Sequence, residues 1–417
     1  MKKVVACLLI VILLLTLFGC ANTNRGFNRG ADALNEKNIG DFPDDGTGIS
    51  AYNGFSYSFF KNAVSMDPNK NVCISPFSAY MAFSLCFSGA NGQTLQQFEN
   101  VFGMKKAEAM DFCRTNYVRF LRREYSDENT KVNLANSIWI DNEFGDFVKK
   151  EFIDGATDYF NAPVYKRDFK LSSTVDEIND WCSDNTDGLI KDIIDSLDED
   201  MIMALINALL VEVNWSDAYD YTVNADFTEY NGTKKQATYL PRKIGAYYHD
   251  ATAKAFKMSL RDGFSFVGIL PEEGVGIDRY VSELSAAKIY NLLSSSDSSC
   301  DVYTRIPKFN TDYEVDLTKL MKTMGITTAF DPNFADLRSM VEIPDVNAYI
   351  GAAKQKTHFE LDENGIKAAA VTYIGVGATG VPAPKPSINL YLDRPFVYML
   401  VDNTTNLPLF IGTLKSV

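Results

Sequence analysis

The sequence predicts a large α+β fold built around extensive β-sheets. Helix signals dominate the first third of the chain, whereas strand-like segments are concentrated towards its C-terminus. Such a separation of helices from strands is typical of α+β domains. Of the 417 residues, 46% are hydrophobic and 23% are charged, which is the balance of a globular protein with a substantial core.

Five helices are predicted from capping residues and from apolar residues at helical spacing. Ser75 and Pro76 favour a helix start, because a serine side chain caps the first amides and proline suits the first turn. Gly325 favours a helix end, since glycine readily adopts the left-handed conformation found there. The predicted helices cover residues 77–89, 94–102, 147–160, 174–186 and 316–324.

The predicted strands follow from alternation, β-branched residues and short apolar runs. Residues 132–140 alternate, as a half-buried strand does, and residues 201–213 form a continuous apolar run typical of a buried strand. Pro271 ends a short strand over residues 264–270. Further strands are expected at residues 352–362, 388–392, 396–401 and 409–414.

The segment 365–386 lacks the pattern of a core element although strand-like sequence lies on both sides. It contains four glycines, three consecutive alanines and three prolines. A loop of this length in a compact domain is usually functional or disordered. The sequence therefore predicts a long exposed loop here, and a flexible insertion that merely tolerates proteolysis is the plainer alternative.

Charge and histidine content narrow the function classes. The formal net charge of −14 makes nucleic acid a poor partner. Only His249 and His358 are available, so a histidine-based catalytic triad or a multi-histidine metal site would use nearly all of them. No HExxH motif, P-loop or GxGxxG after a strand occurs. The sequence predicts no enzyme activity, no cofactor and no bound metal.

The N-terminus carries a targeting signal. Lys2 and Lys3 precede an apolar run over residues 4–18, which is too short for a comfortable membrane span. The run ends in Leu-Phe-Gly-Cys, similar to a bacterial lipoprotein signal in which Cys20 receives the lipid. An ordinary cleaved signal peptide is the alternative. The predicted divisions are a signal over 1–19, a polar flexible tether over 20–47 and one globular domain over 48–417.

Cysteine spacing indicates neither a metal site nor a disulfide framework. Beyond Cys7 and Cys20, five cysteines remain, an odd number without any CxxC pair. Cys73 and Cys86 lie in apolar runs and are predicted to be buried core thiols.

Seven separate sequence motifs occur, once each, along the globular part of the chain. They are NVCISPFS at 71–78, GANGQT at 89–94, INDW at 178–181 with TDG at 186–188, LINA at 205–208 with Trp215, IPKF at 306–309, LMKTMGITTAF at 320–330, and LYLDRPF at 390–396 with VDN at 401–403 and FIG at 410–412. Their joint order resembles the serpin family of serine protease inhibitors over residues 57–417. The resemblance implies about nine helices around three β-sheets, with an exposed reactive-centre loop.

The resemblance also implies a mechanism and a hinge. In serpins a protease cleaves the loop, remains acyl-linked, and is dragged across the molecule as the loop inserts into the central sheet. The hinge motif is E-x-G-T-x-A-A-A-x-T, and this chain departs from it at Ile366, where inhibitory members usually carry Thr or Ser. The matching residues are Glu363, Gly365, Ile366, Ala368, Ala369, Ala370 and Thr372.

The loop satisfies the physical demands of insertion. Alternate residues from Ile366 to Val376 are small or apolar, so this face suits burial, whereas Lys367 lies on the other face. No proline interrupts residues 365–380, so none would break a new ladder. Insertion would bury apolar surface, and the uncut fold must therefore be metastable and kinetically held.

Family spacing places the reactive bond at Thr379-Gly380, with Ala378 and Val381 beside it. The span to Pro395 is several residues longer than usual, so the cut is expected within three residues of this bond. Small side chains here predict an elastase-like or subtilisin-like target, because a trypsin-like protease would require Lys or Arg.

The resemblance assigns a further group to sheet opening. Ser75, Ser78 and Asn207 match this region, and Gln355 stands where the family often has His. Trp215 is implied near the point where the loop first inserts, with a plain core role as its alternative. His358 is out of register with these positions and is interpreted as structural.

These observations predict a lipid-anchored suicide inhibitor outside a bacterial membrane, acting as a monomer in a covalent 1:1 complex with its serine protease. A non-inhibitory serpin-like surface binding protein is the main alternative, and it would be cleaved without gaining thermal stability. A lipoprotein with an unseen enzymatic site is the third. Heparin-like polyanions are unfavoured partners because the chain is acidic.

Overall fold

The computed structural model describes residues 48–198, 201–351, 353–366 and 386–417. In this part of the chain, nine α-helices surround three β-sheets, which confirms the predicted α+β architecture. The helices are Ile49–Met66 (α1), Pro76–Gly89 (α2), Gly92–Phe102 (α3), Lys106–Arg122 (α4), Lys150–Phe160 (α5), Ser172–Asn185 (α6), Ile277–Ser282 (α7), Ala286–Ser294 (α8) and Leu317–Met324 (α9).

The capping signals act as predicted. The Ser75 side chain accepts a hydrogen bond from the Ser78 amide, and Pro76 occupies the first turn of α2. Gly325 ends α9 with a φ of +117°, a conformation that a side chain would strain. At these helices, local chemistry was sufficient to determine where the helix begins or ends.

One predicted helix is interrupted. Residues 147–160 were expected to form a single helix, but a short 3₁₀ turn covers Gly145–Phe147 and α5 begins only at Lys150. Val148 is extended and bridges Val341, and the Lys149 amide donates to the Met340 carbonyl. Pairing with a distant segment therefore overrides the local helical pattern.

The strands are more numerous than the sequence predicted. Those missed lie mainly in the middle of the chain, where many are short or largely polar. The strands are Val72–Ile74 (β1), Lys131–Asp141 (β2), Val164–Arg167 (β3), Met203–Asn214 (β4), Val223–Thr228 (β5), Lys234–Ile244 (β6), Tyr247–His249 (β7), Ala253–Ser259 (β8), Phe264–Pro271 (β9), Ser296–Asp297 (β10), Asp301–Pro307 (β11), Phe309–Asp316 (β12), Lys354–Leu361 (β13), Gly365–Ile366 (β14), Ser387–Tyr391 (β15), Phe396–Asp402 (β16) and Pro408–Leu414 (β17).

The three sheets share one large core. A seven-stranded sheet runs β1-β17-β16-β9-β8-β7-β10, a four-stranded sheet runs β15-β11-β6-β5, and a six-stranded sheet runs β12-β13-β14-β4-β2-β3. Tyr398 of β16 packs its ring 4.9 Å from those of Phe309 and Phe359 on β12 and β13. The six-stranded sheet thus lies on the seven-stranded one, and it is called the central sheet below.

No helix within the described residues combines the length and apolar character needed to cross a membrane.

Candidate functional site

The candidate site is a gap in the central sheet between β4 and β13. At one end β14 fills it, because Ile366 pairs with Leu361 on one side and with Val213 on the other, and Gly365 pairs with Asn214. Beyond Ile366, β4 pairs with β2 alone and β13 with β12 alone among the described residues. Each strand therefore presents one unpaired backbone edge to the gap, an arrangement that favours addition of another strand.

A cavity of about 390 Å³ occupies the gap. Its wall includes Ile193 and Ile194 from the segment 186–198, which follows α6. Two lysines of β13 hold this segment: the Lys356 ammonium donates to the Asp192 carbonyl, and Lys354 lies 3.4 Å from the Asp195 carboxylate. The segment thus spans the gap from the α6 side to β13, and its aliphatic side chains line an unfilled apolar space.

The residues assigned to sheet opening meet at the floor of this cavity. The Ser78 hydroxyl bonds to Asn207 Oδ1, and Asn207 Nδ2 donates to Asn136 Oδ1 at 2.7 Å. The amide of Gln355 bonds twice to the Ser75 backbone, accepting from its N–H at 3.1 Å and donating to its carbonyl at 2.9 Å. β4 and β13 are therefore each tied to the start of α2 rather than to one another.

Trp215 holds the end of the gap where β14 lies. Its side chain is 2% exposed, and its indole N–H donates to the Asp362 carbonyl at 2.9 Å. Its backbone amide donates to the Asn364 carbonyl, also at 2.9 Å. Trp215 therefore combines core packing with two hydrogen bonds to the hinge turn.

The hinge turn is also fixed electrostatically. Lys308, which follows β11, forms an ion pair with Glu363, and this neighbouring cation lowers the pKa of the Glu363 carboxyl. Gly365 lies against β4 so closely that an added Cβ would approach the Val213 carbonyl oxygen to 2.3 Å. Only glycine fits this position without moving the backbone.

The first residues of the predicted loop are not loop. Residues 365 and 366 were expected within an exposed segment, but they form β14, and Ile366 is only 3% exposed. Its side chain packs in the main hydrophobic core, and this burial favours the strand conformation at the start of the segment 365–386. A β-branched apolar residue here finds the β-branched partner Val213 opposite.

The other sequence-predicted site residues lie outside the described residues. They are Ala368, Ala369, Ala370 and Thr372 of the hinge, Ala378, Thr379, Gly380 and Val381 at the reactive bond, and Cys20 at the lipidation site.

Sequence reasoning missed Asp362, Lys308 and Val213. Asp362 directly precedes the hinge motif, so its position beside Glu363 was an available signal. Lys308 lies within the IPKF block, but nothing in the sequence indicates that it pairs with Glu363. Val213 is an ordinary member of an apolar strand, and its role depends only on what lies opposite.

Among the described residues, the cysteines and His358 lie in structural surroundings. All five described cysteines are buried and unpaired, and burial raises the pKa of Cys73, Cys86, Cys113 and Cys182 to about 12. Such thiols stay protonated and unreactive at neutral pH. His358 Nδ1 lies 2.7 Å from Asp312 on the neighbouring strand. Within the described ranges, no cluster of three or more His, Cys, Asp or Glu side chains could hold a metal.

Comparison with protein families finds one matching model, described as "Serpin (serine protease inhibitor)", over residues 50–417. Among curated relatives, a serine protease inhibitor of Cyanea capillata is 28% identical, with 86% of this chain and 96% of the relative covered. An uncharacterised serpin-like protein of Methanosarcina acetivorans is 25% identical over 88% of this chain and 87% of its own length.

Solved structures give the same likeness. The native state of tengpin, a thermophilic serpin, superposes with a TM-score of 0.81 at 30% identity, covering 93% of this chain and 98% of that one. The latent state of tengpin superposes with a TM-score of 0.76 at 29% identity, covering 92% of this chain and all of that one. The TM-score is thus higher for the native than for the latent state.

Proposed function

Because this chain belongs to the serpin family, we propose that it is a single-use inhibitor of serine proteases that traps its target by strand insertion. Serpins are generally protease inhibitors rather than enzymes. One observation carries the proposal. The start of the hinge, Gly365–Ile366, already forms a strand at one end of a gap whose two edges have no other strand partner among the described residues.

The observed register predicts the partners of each inserted residue. Since Ile366 pairs with Leu361 and Val213, each step forward along the loop moves one residue back along β13 and β4. Thr372 would then lie between Gln355 and Asn207, the two residues tied to α2. An inserted strand could continue until Val376 lies opposite Met203, where β4 begins.

The same register predicts which side chains become buried. Ile366 faces the core, and so do alternate residues of β13, namely Gln355, Thr357, Phe359 and Leu361. The loop residues of even number from Ala368 onward would share this face, and Lys367 would point to solvent. Each buried apolar Å² contributes about 25 cal/mol, and both unpaired edges gain hydrogen bonds. The uncut fold would be kinetically held until cleavage releases the loop.

The proposed chemistry belongs to the protease. Its serine Oγ attacks the carbonyl carbon of Thr379, and the nitrogen of Gly380 leaves with a proton as a new N-terminus. The protease then remains joined to Thr379 as an ester. Insertion carries this ester away from the hinge and distorts the protease before water can hydrolyse it.

Small side chains around the proposed bond support an elastase-like or subtilisin-like target. Ala378, Thr379 and Val381 fit a protease with a small specificity pocket. Lys385, the nearest basic residue, lies between Pro384 and Pro386 and is a poor site for a trypsin-like protease.

Incubation of the protein with pancreatic elastase and with subtilisin tests this proposal. We expect a band at the summed mass that survives boiling in detergent. We also expect a released C-terminal peptide beginning at Gly380 or within three residues of it. Denaturing gels and N-terminal sequencing provide both readouts. Complete cleavage without the larger band contradicts the inhibitor proposal for these two classes of target.

A non-inhibitory, serpin-like surface binding protein is the second candidate, and Ile366 is the observation that favours it. Inhibitory members usually carry Thr or Ser at this position of the hinge. Under this alternative, cleavage in the loop leaves the thermal unfolding midpoint unchanged, whereas insertion raises it.

We also propose that the protein is a monomer held outside a bacterial membrane by lipid on Cys20. Support comes from Lys2, Lys3 and the apolar run 4–18, followed by a polar tether over 20–47 and the inhibitor domain over 48–417. Cys20→Ser, expressed in a bacterial host, is expected to move the protein from the membrane pellet to the soluble fraction and to remove the lipid mass. Cys7→Ser is the matched control, since it leaves Cys20 in place. Equal membrane recovery of wild type and Cys20→Ser contradicts this anchor.

A further inference from the structure

We infer that Asp362 is a positioning residue that sets the register of strand insertion before the loop is cut. The inference rests on the proposed function, and it assigns to one side chain the step that determines which loop residues become buried. The structure shows the relevant turn already closed by hydrogen bonds within residues 362–365 and by the pairing of Leu361 with Ile366.

The Asp362 carboxylate satisfies the amides of the turn. Its Oδ1 accepts from the Asn364 amide at 2.8 Å and from the Gly365 amide at 3.2 Å. Its Oδ2 accepts from the Asn364 side-chain amide at 3.1 Å. The backbone closes the same turn, since the Asp362 amide donates to the Gly365 carbonyl at 3.0 Å. One side chain thus holds two residues of the turn, Asn364 and Gly365.

The carbonyl groups of the turn accept hydrogen bonds from outside the turn. Trp215 donates from its indole to the Asp362 carbonyl and from its backbone to the Asn364 carbonyl, both at 2.9 Å. The turn is therefore held internally by Asp362 and externally by Trp215, which directly follows β4. These two sets of bonds fix its length at four residues between the paired positions Leu361 and Ile366.

The length of the turn determines which loop side chains become buried, because side chains alternate between the two faces of a strand. A slip of one residue would turn Ile366 outward and place Lys367 on the buried face. It would also move Thr372 away from Gln355 and Asn207. Without the carboxylate, the amides of Asn364 and Gly365 lose their acceptor and other turn lengths become competitive. Insertion would then begin from several registers, most of which cannot be completed.

The test separates register setting from protease trapping. The full-length protein is nicked within residues 377–385 by a zinc protease, which forms no acyl-enzyme, and the nick is verified by N-terminal sequencing. The rate at which the nicked protein gains thermal stability then measures insertion alone. Asp362→Ala removes the acceptors, Asp362→Asn keeps an oxygen that accepts both amides, and Asp331→Ala removes an equivalent turn contact to the Asn333 amide elsewhere.

We expect Asp362→Ala to gain stability at least ten-fold more slowly than wild type, with Asp362→Asn and Asp331→Ala close to wild type. The unfolding midpoint of the uncut Asp362→Ala protein should change little, which distinguishes positioning from a general loss of stability. A wild-type rate in Asp362→Ala overturns the inference alone. Equal slowing in Asp362→Asn overturns it too, because the charge rather than the acceptor would then matter. Absence of any gain in wild type overturns the inference and the proposed function together.

Discussion

Ile366→Arg is expected to convert the inhibitor into a substrate. Ile366 is 3% exposed and lies between Leu361 and Val213, so an arginine inserted there would place its charge in the core without a partner. The cost of burying an unpaired ion amounts to several kcal/mol. If about 3 kcal/mol of this cost raises the barrier to insertion, the insertion rate falls ~100-fold. Hydrolysis of the acyl-enzyme is then faster than insertion.

The measurement is the number of inhibitor molecules consumed for each protease trapped. Wild type should approach one, and Ile366→Arg should yield cleaved protein with almost no covalent band. The uncut variant should remain folded, because the two residues of β14 can leave the gap while β4 stays paired with β2 and β13 stays paired with β12.

Ile366→Thr provides the matched control. It retains β-branching and the strand geometry, and it restores the residue type usual at this position in inhibitory relatives. We expect it to trap protease at least as efficiently as wild type. Covalent complex formation by Ile366→Arg at the wild-type level would show that the loop does not insert past this residue, and the mechanism would have to be abandoned.

Trp215→Ala is expected to have the second-largest effect, on both stability and the hinge. The indole is almost fully buried and packs edge-on against Tyr219 and Phe266, with ring centroids 5.5 Å and 6.0 Å away. Truncating a buried Trp to Ala typically costs about 3–5 kcal/mol, which includes the cavity left behind. The substitution also removes the indole donor to the Asp362 carbonyl. A lower unfolding midpoint in urea, with an unchanged slope, is the expected readout.

Trp215→Phe separates these two contributions. It keeps an aromatic ring in the core but lacks the donor, so the loss should be nearer about 1–2 kcal/mol. If the Phe variant loses as much stability as the Ala variant, the hydrogen bond to the turn would outweigh ring packing. An unchanged midpoint in both variants would exclude Trp215 as a determinant of this end of the gap.

The ends of helices that depend on neighbouring residues could be predicted from the sequence, whereas structure that depends on distant contacts could not. The limits of α2 and α9 were predictable because a serine cap and a terminal glycine act on neighbouring residues. β12 was missed although its buried and exposed residues alternate strictly and its four exposed residues are all polar, which is the pattern of a half-buried strand. The break before α5 was not predictable, since Val148 is extended only through its contact with Val341.

The candidate site shows the same division. Glu363 and Gly365 were identified from the hinge motif, but only tertiary contacts explain why these residue types stand there. Glu363 forms an ion pair with Lys308, and the Val213 carbonyl leaves no space for a side chain at Gly365. Asp362 was overlooked because an aspartate before a turn is common. Its importance depends on Trp215, which directly follows β4 and lies 147 residues before Asp362 in the sequence.

The sequence by itself determined the fold class, the family resemblance, the small-residue alternation of the loop and the composition of the hinge, because these depend on local pattern and motif order. Only the tertiary structure decided that β4 and β13 face each other across a gap that no described strand fills beyond Ile366, and which residues an inserted strand would meet. Those properties depend on which backbone edges remain unpaired after distant strands have paired, and no local pattern encodes the absence of a partner.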